Sequence, residues 1–445
     1  METLKNESVS NLYDQLIESE PKPVTNFVPD NAAEQRDAFL KGDIENPDHN
    51  YAKLKDYHFD ATLEKIGSIG DRILQNPDLN PKHTKAYEQF IEGYKNKTRL
   101  MALATQFKEA QPGEEKDTIA KKFMELNIEL HGEPDEETYR SLLFEKVSKI
   151  NKKKFVGEAA KIAEELNELV EIPEGSEQLT RFSPSAETVS WMHETVQGLY
   201  GNMLDKIPEG DTFTASEVQS IFQDILKSEF GESADDWKID IESAKSINVK
   251  TAEKRIVIPE DAKDMSVGKL RSLVVHELGV HMLRSIIGGD TDLEPLKSGL
   301  NDYYDAEEGL GVVMEQALLG EYKERGVPLY LTAGLAYIDN KNFRETFEVK
   351  WRMGALEKVK DCEDITTEAI DDARRTAYGS VMRIMRGTDE LPWFKDLAYY
   401  NGSASIWQHL ENIQDDDLKF MFVLMGKADP ANIDHERLMY ETKTK

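Results

Sequence analysis

Residues 270–287 read Leu-Arg-Ser-Leu-Val-Val-His-Glu-Leu-Gly-Val-His-Met-Leu-Arg-Ser-Ile-Ile, an apolar helix whose middle carries His276, Glu277 and His281. A helix that is apolar on most sides belongs in a core, and a core rejects imidazole and carboxylate groups unless something compensates them. Whatever fold the chain adopts must therefore bring compensating groups to this segment. With nine histidines and fifty glutamates in 445 residues, the pattern His-Glu-x-x-x-His arises by chance only roughly 0.02 times.

The spacing is the second constraint. Histidines four apart on an α-helix sit about 40° apart and can share a metal ion, whereas five apart they sit about 140° apart. A π-type turn at Leu278-Gly279 would widen the helix by one residue and return both rings to one face, and such turns are frequent at functional sites. Gly279, costly inside an ordinary helix, suits that turn. The expected site is one zinc ion on His276 and His281, with Glu277 as general base.

Zinc needs a third protein ligand, usually from the following helix. Residues 305–311, Asp-Ala-Glu-Glu-Gly-Leu-Gly, offer Glu308, with Glu307 as the alternative, and Gly309 and Gly311 would let this helix approach the first. The same residues also fit a capping box, with Asp305 as N-cap and Glu308 three positions on. Glu315, two turns after Glu308, is spaced to orient a histidine.

A chain this long divides readily into two or three domains. Residues 1–58, with Pro21, Pro23, Pro29 and Pro47, read as an extended arm. Residues 59–175 read as four or five helices punctuated by Pro81, Pro112, Pro134 and Pro173, and 176–445 as the catalytic unit, with a helix starting at Ser183-Pro184-Ser185. Alternating or β-branched runs at 237–241, 246–250 and 255–258 predict strands, the last two a hairpin. Helices follow over 305–320, 328–358 and 365–386, and the aromatic run Trp393 to Tyr400 stops at Asn401-Gly402. The expected fold class is α+β, mainly α-helical, with a small antiparallel sheet directly before the motif helix.

Lys and Arg number 55 against 85 Asp and Glu, a formal charge of -30. That balance repels phosphate backbones and anionic lipid, so no nucleic acid and no membrane partner is expected. The start of the chain lacks the apolar core of a signal peptide, and no run of ~18 apolar residues occurs. The single cysteine, Cys362, forms no intrachain disulfide, which favours a reducing compartment. The expected location is the cytoplasm.

His-Glu-x-x-x-His followed by Glu307-Glu308-Gly309-Leu310-Gly311 resembles the MATCAP-type metallocarboxypeptidases, a family that includes tubulin tyrosine carboxypeptidases and bacterial relatives named for a Gln-Glu-Gly-Leu-Ala motif. The first and last positions of that motif differ here. Arg383-Ile384-Met385-Arg386-Gly387 and Phe394-Lys395-Asp396 look like later segments of the family, so the likeness spans about residues 50–412. The resemblance implies a zincin-like catalytic domain, zinc on His276, His281 and Glu308, a catalytic Glu277, and removal of the C-terminal residue of a peptide or protein. Tubulin, whose tails are acidic, is disfavoured as substrate by the charge of -30.

Such an enzyme must hold a free carboxylate, which suits Arg383, Arg386 or Lys395. Tyr303, Tyr304 and Tyr399 can donate to an oxyanion. The strand Ile256-Val257-Ile258 can add a substrate backbone to its edge. An endopeptidase on the same zinc chemistry and a non-catalytic binding protein are the competing readings.

Overall fold

Helical periodicity becomes helix along most of the chain in the computed structural model, which describes residues 7–244, 246–260, 265–414 and 416–443. The protein is α+β and mainly α-helical, with its strands confined to the stretch before the motif helix. The helix expected after Ser183-Pro184-Ser185 is Ala186–Leu204, capped by the Ser185 hydroxyl, which accepts from Thr188 N at 3.1 Å. It turns Met192, Val196 and Tyr200, all fully buried, toward the core. Burying each such side chain contributes ~1.5–3 kcal/mol.

Among the described residues five strands follow: β1 (Thr212–Phe213), β2 (Lys238–Glu242), β3 (Asn248–Lys250), β4 (Arg255–Pro259) and β5 (Met265–Ser266). The predicted hairpin is β3–β4, antiparallel with Val249 opposite Ile256, and β1 pairs antiparallel with β5. The three-stranded sheet is nevertheless mixed, because β2 runs parallel to β4, with Ile239 opposite Ile256. The strand order β2-β4-β3 makes β4 central. Its Ile256, Val257 and Ile258 are all buried, as a central strand covered on both faces requires. The edge expected at Ile256-Val257-Ile258 is therefore not there; the edges of the sheet are β2 and β3.

The motif helix runs from Val267 to Gly289, capped by Ser266, and a second long helix, Tyr304–Leu319, packs across it after the short helix Pro295–Ser298. Tyr303 stands at the N-cap of that second helix without a side-chain cap, so Asp305 and Glu308 form no capping box. A Cβ on Gly311 would sit 2.6 Å from the His276 ring, so this glycine does allow the close approach. Gly309 serves a different neighbour: its Cβ would sit 2.1 Å from the backbone of Gly402, in the helix Ala398–Asn412. Asn401-Gly402, a break by sequence, thus lies inside a helix, and Gly402 is small because the Asp305 carbonyl crosses there.

Residues 59–175 form five helices, and those of 136–169 share one hydrophobic cluster with the helices Val327–Tyr337, Phe343–Lys358 and Thr367–Met385. The core is thus continuous across residue 175. The helix expected over 328–358 is interrupted at Ile338–Asn342, where Asn340 takes φ +51° and Asn342 caps the next helix with a capping box. The arm is not extended; it holds short helices such as Val9–Glu18 and Ala32–Lys41. Leu12, Tyr13 and Leu16 bury against Leu293 and Leu296, tying the arm to the segment between the two site helices.

Candidate metal centre

Between Val274 and Met282 the motif helix is a nine-residue π-helix, flanked by α-helix on both sides. This widening is what the five-residue spacing demanded. The rings of His276 and His281 face each other with centroids 4.8 Å apart. On return to α-helix the Leu283 N–H still bonds the Leu278 carbonyl, five back, so the ladder passes over one carbonyl. The next carbonyl, Gly279, accepts the Tyr200 hydroxyl at 2.8 Å. A Cβ on Gly279 would lie 2.6 Å from the Tyr200 ring, so glycine is required for contact with this ring.

Glu308 completes the set. One ligand atom each from His276, His281 and Glu308 lie within 4.8 Å of one another, and these are the residues among those described that could together hold a metal ion. Each histidine is oriented from behind. His276 Nδ1 bonds Glu315 Oε1 at 2.6 Å, and His281 Nδ1 bonds Glu307 Oε1 at 2.8 Å. With Nδ1–H donated to a carboxylate, the Nε2 lone pair of each ring is the one available to a metal. Glu315 has the orienting place its spacing suggested. Glu307, the alternative ligand, instead holds His281, and it also pairs with the fully buried Arg284 and, at 3.0 Å, with Lys427. Sequence reasoning missed Arg284 and Lys427, although an arginine three residues after His281 on an apolar helix signals a buried carboxylate.

The charges around the site do not cancel. Burial alone would raise the Glu307 carboxyl, but Lys427, Arg284 and His281 hold it below its ordinary value. Glu315 behaves alike: burial opposes its ionisation, and its bond to His276 outweighs this. Burial would lower His276, and the bond to Glu315 with the nearby Glu277 raises it instead. Glu277, 8% exposed, is raised by burial, although the two histidines pull the other way. Glu308 is likewise penalised by burial, yet His281, Lys395 and His276 bring it below the usual range. Glu277 and Glu308 have no ion-pair partner of their own among the described residues. Two such carboxylates beside two free imidazole nitrogens fit a divalent cation, and this donor set suits zinc.

The centre opens into a cavity of about 700 Å³, lined on one side by Ser246, Ile247, Asn248 and Val249 of the β3 segment and on the other by His276, Glu277, His281 and Glu308. Of the residues expected to bind substrate, only Tyr399 lines it. Arg383 is clamped to Asp396 by two bonds of 2.7 Å, and Arg386 bonds the same carboxylate at 3.0 Å. Lys395 donates to the Tyr304 hydroxyl, and burial lowers its ammonium to about 8. Tyr304 also bonds Glu308, whereas Tyr303 is half-buried with its ring against Gly299. These residues brace the Glu308 side of the site rather than its opening.

No helix among the described residues is long and apolar enough to cross a membrane. No curated protein and no solved structure matches the chain. The sequence model of the microtubule-associated tyrosine carboxypeptidase family, MATCAP, matches residues 187–444, which runs from the helix carrying Tyr200 through both site helices. That span is more than half of the chain, and it contains His276, Glu277, His281 and Glu308; the chain belongs to the microtubule-associated tyrosine carboxypeptidase family.

Proposed function

We propose that the protein is a zinc-dependent carboxypeptidase that removes one residue from the C-terminus of a peptide or protein. The observation that carries this reading is the π-helical turn that sets His276 and His281 beside each other and beside Glu308, with Glu277 between them at the cavity wall.

Zinc bound by His276, His281 and Glu308 would act as a Lewis acid toward the scissile carbonyl and acidify water at the site. Glu277 takes a proton from the attacking water and delivers it to the leaving amine, a role that its burial and raised carboxyl value favour. Tyr399, on the cavity wall, donates to the developing oxyanion. Glu315 and Glu307 hold the two imidazoles in the required tautomer. The free edge of β3 receives the substrate backbone.

Microtubules belong to the family's name, but a chain of charge -30 attracts the acidic tails of tubulin poorly. Substrates with a less acidic C-terminal segment suit this protein better. The test is incubation of zinc-loaded protein with tyrosine-ended peptides, read by mass spectrometry. Loss of a single C-terminal residue, absent in Glu277→Gln, supports the proposal. Internal cleavage makes it an endopeptidase, and no cleavage leaves a binding protein.

A further inference from the structure

Both oxygens of the Glu307 carboxylate are engaged, by groups of different origin. Oε1 bonds His281 Nδ1 at 2.8 Å and lies 3.0 Å from Lys427 Nζ, whereas Oε2 accepts from Arg284 Nη1. Arg284 belongs to the motif helix, one turn after His281. Lys427 comes from neither site helix and stands in the loop between the helices Asp417–Leu424 and Ile433–Glu441. It shares with His281 the oxygen that sets the direction of the imidazole. Resting on the zinc reading above, we infer that Lys427 is a positioning residue for the metal centre, and that it couples the C-terminal segment 425–443 to metal binding.

The loop is built to deliver that lysine. The Lys427 N–H donates to the Leu296 carbonyl at 2.8 Å, and the Lys427 carbonyl accepts from the Leu300 N–H at 2.9 Å. Both partners lie in the connector between the two site helices. Gly426 takes φ +141°, and a Cβ there would meet Leu296 at 3.3 Å and the Gly288 backbone at 3.4 Å, so the loop passes close to the end of the motif helix. The Ala428 carbonyl accepts from Arg284 Nη2. Farther on, the Asp292 N–H donates to the Lys443 carbonyl at 2.9 Å, and the Lys443 N–H donates to Asp292 Oδ1 at 2.8 Å. The C-terminal segment thus grips the connector at residues 292, 296 and 300.

Burial turns these contacts into a fixed geometry. The side chains of Lys427, Arg284 and Glu307 are 7%, 0% and 4% exposed. Desolvating such charges offsets most of their attraction, so the network adds little net stability and its use is to define where Glu307 stands. Without Lys427 the carboxylate is held from the Arg284 side alone and can turn toward it. Its bond to His281 Nδ1 then slackens, and the ring is free to rotate its Nε2 away from His276 and Glu308. His281 is therefore the ligand through which the C-terminal segment acts. The coupling is reciprocal: metal that fixes His281 also fixes Glu307, Lys427 and the loop.

The test uses full-length protein and measures zinc affinity by competition with a chelator. Lys427→Met should bind zinc roughly 10- to 100-fold more weakly than wild type, and Lys427→Arg should recover most of that loss. Met439→Ala opens a buried position in the same segment, in the cluster that holds Leu12, Leu293 and Leu296, and should keep wild-type affinity. The ligand-field bands of cobalt-loaded Lys427→Met should shift from those of wild type. Hydrogen exchange on wild type alone supplies a measurement that needs no variant: zinc should slow the Leu300 and Lys427 amides more than those of the helix Phe343–Lys358. Wild-type affinity in folded Lys427→Met, or an equal loss in Met439→Ala, overturns the role of Lys427 and leaves the zinc site standing. Protection that rises equally in both regions overturns the coupling. Wild type that takes up no zinc overturns both the zinc reading and this inference.

Discussion

The Tyr200 hydroxyl donates to the Gly279 carbonyl at 2.8 Å, and it does so where the motif helix steps from π back to α and passes over a carbonyl. The bond comes from a neighbouring helix with no share in the metal set. It stabilises the one irregularity on which the pairing of His276 with His281 depends. Tyr200→Phe leaves that buried carbonyl unsatisfied, at a cost of ~1–3 kcal/mol. The expected result is a lower melting temperature and weaker zinc retention. Gly279→Ala, whose methyl meets the Tyr200 ring, should be worse on both counts. Equal melting temperatures for wild type and Tyr200→Phe would show that the bond contributes nothing.

Glu315→Ala removes the partner of His276 Nδ1 without exposing a buried cation. Zinc affinity should fall ~10- to 100-fold, measured by competition with a chelator of known affinity. Glu307→Ala is a different experiment. It strands Arg284 and Lys427, and should cost ~3–5 kcal/mol of folding stability in addition to any loss of metal.

Glu277→Gln keeps the shape of the site and removes the proton acceptor. Its kcat/KM on a cleaved peptide should drop ~10²–10⁴-fold while its zinc content stays at the wild-type level. A variant with near wild-type turnover would remove Glu277 from the chemistry.

Asp389 anchors the arm to the body. Its Oδ1 accepts from the Tyr51 hydroxyl at 2.7 Å and lies 2.8 Å from His49 Nδ1, and its Oδ2 accepts from Lys108 at 2.8 Å and from His49 N at 2.7 Å. Burial alone would raise its carboxyl, but His49 and Lys108 hold it below the ordinary value. A carboxyl depressed in the folded state stabilises the protein above its unfolded value of about 3.9, and this contribution is lost as pH falls through the folded value. Melting temperature should therefore fall more steeply below about pH 4 in wild type than in Asp389→Asn. At neutral pH the variant should be less stable by on the order of 3 kcal/mol. Parallel pH profiles for the two proteins would contradict the anchor.

The motif triplet, the need for a π-turn and the strands were legible because each follows from local spacing: five residues between histidines, alternation at 237–241, β-branching at 255–258. Glu308 and Glu315 were legible for the same reason, as one helix face with glycine at its contact. What stayed hidden depends on tertiary partners. Glu307 and Glu308 are neighbours in sequence, and only packing decides that one stands beside both histidines while the other meets His281, Arg284 and Lys427. Arg383 and Arg386 read as free cations because Asp396, which absorbs them, lies ten or more residues away. Asn401-Gly402 read as the stop of the aromatic run because the crossing partner of Gly402, Asp305, is almost a hundred residues earlier. The parallel pairing of β2 depends on strand order, which alternation does not encode.

The central claim is that the widened helix and Glu308 together hold one divalent ion, and zinc content tests it most directly. Purified protein reconstituted with zinc should carry about one equivalent, and His276→Ala and Glu308→Ala, each still folded by circular dichroism, should carry almost none. Wild type that takes up no zinc, or a Glu308→Ala protein that keeps a full equivalent, would contradict the account.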